Sequence, residues 1–270
     1  MPGEMIAISI DGSLVDREHA TISVLDRGLL YGDGLFEVFR SDDAEPHLDR
    51  LYAAAAELEL RVMPRAALSA TIAMTIAAAG QGEHRVRVIV TRGPGALSAR
   101  LGELGPGRAI VIVEPLPAQP RELSAVTIDR PVPGGAYKTL AYLDRVIARE
   151  LAAAAGADEA IRLDRDGNVV EGSTSNVFAV TGGTVRTPPL TAGALPGITR
   201  AHVLAICTQL AIPASEAMIS SASWAAADEL FATSALRGVV PITRLDGSVR
   251  AAGPVTARIA QAYVGLFHRR

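Results

Sequence analysis

One lysine, one glutamate and two hydroxyl-bearing segments stand out by type and setting. Lys138 follows Gly134-Gly135 and precedes a helical pattern. A lysine is a nucleophile only as the neutral amine, and burial favours that form. By itself, Lys138 reads first as a surface lysine, and only the other features favour a catalytic one. Glu171 sits in VVEGSTSNVF, followed by Ser173, Thr174, Ser175 and Asn176. Polar residues pressed between Val-Val and Val-Phe suggest a ligand rich in acceptors. Gly197, Ile198 and Thr199 open the helical segment ITRAHVL. A helix N-terminus offers unpaired N–H groups and the positive end of a dipole, so it can hold a phosphate. Thr233 and Ser234 close the strand ELFAT in a similar way. With one arginine, two such termini would make a phosphate cup.

The surrounding pattern supplies elements to carry these groups. GDGLFEVFR (32–40) alternates two residue sets, as a two-faced strand does. Apolar spacing predicts a helix over 47–60, and Pro64 opens a second that ends at Gly80. Segments 5–10, 21–24, 84–92, 108–114 and 124–130 read as strands. The segment 115–120 (PLPAQP) reads as a linker between domains 1–114 and 121–270. Beyond it, 142–155 reads as an alanine-rich helix, and DEAIRLD, VVEG and NVFAV as strands with hairpin turns. Ser221 is placed to cap a short helix, and Pro254 opens the last one. The expected class is mixed α/β in two domains.

The 270 residues suffice for a sizeable core, with 49% hydrophobic and 20% charged residues. A net charge of −3 gives no electrostatic reason to expect nucleic acid. No stretch has the ~20 apolar residues that a membrane span needs, and the start lacks a signal-peptide pattern. The single cysteine, Cys207, lies in an apolar run and fits a reducing cytoplasm. The five histidines are scattered without metal-ligand spacing, so no metal is expected. Asp26, Asp33, Glu37 and Asp49 cluster in sequence, but nothing fixes them about one bond as a hydrolase would.

Four segments in order resemble the class IV aminotransferases and their lyase relatives: DRGLLYGDGLFEVFR, HLDRLY, AYKTLAYL, and EGSTSNVF followed by ALPGITR. The resemblance implies a fold type IV enzyme with a smaller N-terminal α/β sandwich and a larger, β-barrel-like C-terminal domain with helices. It implies pyridoxal 5'-phosphate as cofactor, amino acids and 2-oxo acids as substrates, and a homodimer in which the loop near 93–101 reaches the partner. Carried over residue by residue, Lys138 would form the Schiff base and move the proton. Glu171 would pair with the pyridine nitrogen, and Arg50, Ile198, Thr199 and Ser234 would hold the phosphate. Leu195 would pack on the ring, with Ser175, Asn176, Gly197 and Thr233 also near the cofactor. Phe36, Val38, Arg40, Arg100 and Ala235 are the expected substrate contacts, with Glu37 facing away.

The sequence departs from some relatives. D-amino-acid transaminases carry a tyrosine where Phe36 stands, and an arginine and a histidine where Leu97 and Ala99 stand. Arg40 and Arg100 are the candidates to replace that carboxylate clamp. Val38 replaces the threonine of aminodeoxychorismate lyases and the glycine of branched-chain aminotransferases. The reading is a transaminase for D-amino acids and some (R)-primary amines, with 2-oxoglutarate or pyruvate as acceptor. The alternatives are the lyase that yields 4-aminobenzoate and pyruvate, and a branched-chain L-amino-acid transaminase.

Overall fold

The computed structural model describes residues 6–100, 104–128 and 135–267. The chain divides into two compact units, Met1–Ala118 with Tyr137–Tyr142, and Gln119–Ala136 with Leu143–Arg270. The first boundary falls inside the expected linker. The lysine segment departs from the expected division, because residues 137–142 fold with the N-terminal unit. Backbone pairing explains this: Phe36 N–H donates to the Lys138 carbonyl (2.9 Å) and Leu140 N–H to that of Gly34 (3.0 Å). Leu35 and Thr139 form an antiparallel bridge between these bonds.

The first unit is an antiparallel sheet of β1 (Ala7–Ile10), β2 (Ser13–Val15), β3 (Gly34–Arg40), β4 (His84–Thr91) and β5 (Arg108–Pro115), ordered β2-β1-β5-β4-β3. Its helices are α1 (Arg27–Tyr31), α2 (Glu45–Glu57) and α3 (Arg65–Ala78). Leu35 and Phe39 of β3, with Val86, Val88 and Val90 of β4, form one core with Leu48, Leu51, Leu68 and Ile72 of the helices. Each such fully buried side chain contributes roughly 1.5–3 kcal/mol. Strand alternation leaves Phe36, Val38 and Arg40 on the opposite face of the sheet. Two sequence expectations change here. Residues 21–24 form no strand, and α1 was not foreseen; the Asp26 carboxylate caps it, accepting from Gly28 N–H at 2.7 Å.

The second unit holds β6 (Leu123–Ile128), β7 (Glu159–Leu163), β8 (Asn168–Gly172), β9 (Asn176–Thr181), β10 (Thr184–Thr187), β11 (Ala214–Glu216), β12 (Ile219–Ser220), β13 (Glu229–Ser234), β14 (Gly238–Leu245) and β15 (Ser248–Val249). They form one sheet, ordered β11-β10-β9-β13-β14-β6-β7-β8-β12, with β15 on β14. The helices are α4 (Leu143–Ala154), α5 (Ile198–Gln209), α6 (Ser221–Ala225) and α7 (Pro254–Phe267). The turn after Gly172 carries the chain from β8 to β9, strands far apart in that order, so the sheet curls into a half-barrel. Helices α5 and α7 cover one part of it through Val203, Ile206, Ile259 and Tyr263, packed on Phe178 and Phe231. Ser220, not Ser221, caps α6, accepting from Ser223 N–H.

Candidate active site

In the first unit, the lysine segment lies along the edge strand. Lys138 Nζ stands 4.6 Å from the Phe36 ring centroid and 6.0 Å from that of Tyr142. The two rings meet edge to face at 5.1 Å. The β3–β4 register sets Val38 opposite Arg87, and the Arg87 guanidinium carbon lies 4.9 Å over the Phe36 ring. Thus an amine, an aromatic wall and a guanidinium share one face. Desolvation lowers the Arg87 pKa from its ordinary value, without removing the charge at neutral pH.

Of the arginines expected to meet substrate, Arg40 is committed elsewhere. Its Nη2 donates to Glu83 at 2.6 Å. Arg100 is exposed and borders residues 101–103, which lie outside the described set. Glu37 does face away from Phe36, and it is buried. Arg50 donates to it from Nε and Nη2, both at 2.7 Å, and His47 Nδ1 lies 2.8 Å from Oε2. Arg50 is therefore aimed by a fixed carboxylate.

In the second unit, Glu171 at the end of β8 is 1% exposed. Its Oε1 accepts from Arg145 (2.6 Å) and Arg162 (3.0 Å), and its Oε2 from the Leu195 amide (3.0 Å). Asn176 Nδ2 donates to the Leu195 carbonyl at 2.9 Å. Both contacts fasten the segment that leads into α5. A side chain at Gly197 would collide with Asn176 Oδ1, so that close approach requires glycine.

The hydroxyl run meets a buried carboxylate of the chain itself. Glu159, fully buried on β7, accepts from Ser175 Oγ at 3.0 Å, Thr174 Oγ1 at 2.9 Å, Ser173 N–H at 2.8 Å and, closely, Ser173 Oγ. Ser175 thus donates its hydroxyl to a carboxylate of the chain itself. A buried anion needs several donors, and the run provides them. Arg237 Nη1 adds a contact to Glu159 at 3.3 Å, joining this turn to the one after β13.

Three features nearby suit a phosphate. Helix α5 starts at Ile198 with no side chain capping it. Thr199 is buried, its Oγ1 3.5 Å from the Tyr263 hydroxyl. Thr233 is 2% exposed, and its buried Oγ1 has no hydrogen-bond partner. Ser234 ends β13 opposite Gly238, where any side chain would run into the Tyr263 ring, so Tyr263 links the two termini. Ala235 lies in the turn between β13 and β14.

Comparison with known proteins decides the family. Residues 34–245 match the model for amino-transferase class IV. The chain belongs to the class IV aminotransferases. A D-alanine aminotransferase of Bacillus licheniformis is 31% identical, covering 94% of this chain and 95% of the relative. A branched-chain aminotransferase of the archaeon Thermoproteus uzoniensis, solved with norvaline, is 34% identical with a TM-score of 0.86, covering 97% of this chain and 94% of its own. The branched-chain amino acid aminotransferase of Escherichia coli is 27% identical with a TM-score of 0.88, covering 98% of this chain and 95% of its own.

Within this aminotransferase, the structure adds four residues to those expected: Arg87, Arg145, Glu159 and Arg162. Arg162 and Glu159 carried a signal, since charges inside the apolar segment DEAIRLD demand partners. Arg87 sat in HRVRVIVTR as one of three arginines, and only strand register distinguishes it.

Proposed function

We propose that the enzyme uses pyridoxal 5'-phosphate to move the amino group of an apolar amino acid to a 2-oxo acid. The observation that carries this is the unpartnered Thr233 hydroxyl, buried in the unit that also holds an uncapped helix start and the Ser234 turn. These groups fit a phosphate, which needs many donors. Ile198, Thr199, Thr233 and Ser234 would hold it, with Arg50 contributing a guanidinium edge. When bound, the cofactor supplies an electron sink for the bond broken at the substrate carbon. Lys138 would supply the amine that holds the cofactor and carries the proton. Glu171 would offer Oε2 to the ring nitrogen, and Leu195 would pack on the ring.

The Phe36–Tyr142 wall favours apolar donor side chains, and Arg87 gives an acidic acceptor a counter-charge. The D-alanine aminotransferase relatives support a D-amino-acid donor as the first reading. The aromatic wall and the likeness to branched-chain enzymes favour a branched-chain L-amino acid as the second. Incubation with D-alanine or L-leucine, each with 2-oxoglutarate, separates them by which gives glutamate. A purified protein that is yellow and bleaches with borohydride supports the cofactor. A colourless protein that ignores added pyridoxal phosphate overturns the proposal.

A homodimer belongs to the same reading. Ile22, Val24, Leu25, Leu29, Leu30 and Tyr31 leave a run of large apolar side chains exposed on the first unit. Full activity from a monomer in light scattering would contradict it. No helix among the described residues is long and apolar enough to cross a membrane; a cytoplasmic location, argued from the single cysteine, is part of the proposal.

A further inference from the structure

Arg145 of α4 and Arg162 of β7 reach one oxygen of one carboxylate. Both donate to Glu171 Oε1, at 2.6 and 3.0 Å. The Arg162 and Glu171 side chains are 1% and 2% exposed, and that of Arg145 is 17% exposed. The other oxygen, Oε2, accepts the Leu195 amide. The acid nearest on β7, Glu159, is turned to the hydroxyls of residues 173–175 and to Arg237. Stability gives little reason for two guanidiniums on one buried carboxylate, since each loses hydration. Their arrangement divides the labour instead. Oε1 is taken by cations, while Oε2, with about two lone pairs and one amide donor, keeps room for one further N–H on the Leu195 side.

We propose that Arg145 and Arg162 are positioning residues that set how tightly Glu171 holds the proton on the ring nitrogen of bound pyridoxal phosphate. This rests on the reading that Glu171 faces that nitrogen. Each guanidinium draws negative charge toward Oε1. Oε2 then attracts a ring N–H less strongly than a carboxylate without cations would. The ring nitrogen therefore releases its proton at lower pH than it would beside Glu171 alone. The enzyme's electron sink is tuned, not simply switched on.

The test uses holoenzyme loaded with pyridoxal phosphate carrying nitrogen-15 in the ring. The ring nitrogen signal is followed against pH. Removing a unit charge a few ångströms away at an effective dielectric near 20 shifts such a midpoint by about one pH unit or more. Arg145→Gln should raise the midpoint by that amount, about tenfold in proton affinity. Arg145→Lys, which keeps the charge, should stay within a few tenths of wild type. Coincident titration of wild type and Arg145→Gln overturns the proposal. So does an equal shift in the lysine variant, because shape rather than charge would then be acting. Arg145→Met serves in place of the glutamine variant if that protein folds poorly. Glu171→Gln is the control for the underlying reading: an unchanged ring signal there refutes the placement of Glu171 itself.

Discussion

Arg50 meets Glu37 with two nitrogens, Nε on Oε1 and Nη2 on Oε2, each at 2.7 Å. The pair joins α2 to the edge strand and points a guanidinium at a fixed angle. Burial alone would raise the Glu37 pKa, but hydrogen bonds from His47 and Arg50 outweigh it and hold the carboxyl below its ordinary value. A carboxyl lowered in the folded state stabilises above its unfolded pKa, and that stability is lost as pH falls through the lowered value. Glu37→Gln should therefore cost about 3 kcal/mol at neutral pH. The gap from wild type should narrow in acid. Urea midpoints across pH measure it, and a gap that stays constant into acid would remove the ion pair from the account.

Arg87 supplies a separate prediction about the acceptor. A hydrogen bond to a charged group is worth about 1.5–3 kcal/mol. Arg87→Gln should raise the KM for 2-oxoglutarate about tenfold to hundredfold and leave that for pyruvate nearly unchanged. Equal effects on both acceptors would show that Arg87 does not meet the second carboxylate.

Glu159 should prove structural first. Glu159→Ala strands the hydroxyls of Ser173, Thr174 and Ser175 in a buried setting and frees Arg237. Loss of one partner of such a buried network costs about 3–5 kcal/mol. For a chain this long, that lowers Tm by about 10 °C. Calorimetry decides, and a loss under about 3 °C would mean that the donors find other partners.

Lys138 sits half-buried over an aromatic ring and supports little of the core. Lys138→Ala should keep its Tm within about 2 °C, because such sites are tolerant. It should lose the visible band of bound cofactor and at least about a thousandfold in turnover. Retained turnover would end the assignment of the amine.

The two helices α2 and α3, the strands β1, β3, β4 and β5 and the late helices were legible because their apolar spacing is regular and their ends carry proline and glycine; the short β2 was not. Lys138 and Glu171 were singled out through the family resemblance of their segments, since the setting of Lys138 alone reads as a surface lysine. The donors around Glu171 were not, because Arg145 lies on an alanine-rich helix and Arg162 within a strand, and neither position reveals its neighbours. The partner of the hydroxyl run was hidden for a related reason: a row of hydroxyls signals an anion nearby, and sequence alone does not point to Glu159. Arg87 needed the pairing of β3 with β4, which the long connection between them hides. The return of residues 137–142 to the first unit was hidden too, since PLPAQP reads as a clean boundary.

The backbone bonds that tie Lys138 to β3 make sheet alignment a chemical variable. A slip of one residue between Leu35 and Thr139 would carry the amine about 3.3 Å along the strand and turn alternate side chains over. Under the proposed role of Lys138, the edge strand thus acts as a ruler for the reacting nitrogen. Substitutions at Leu35 or Thr139, which need touch no substrate, can then alter the rate by displacing the amine rather than by loosening the fold.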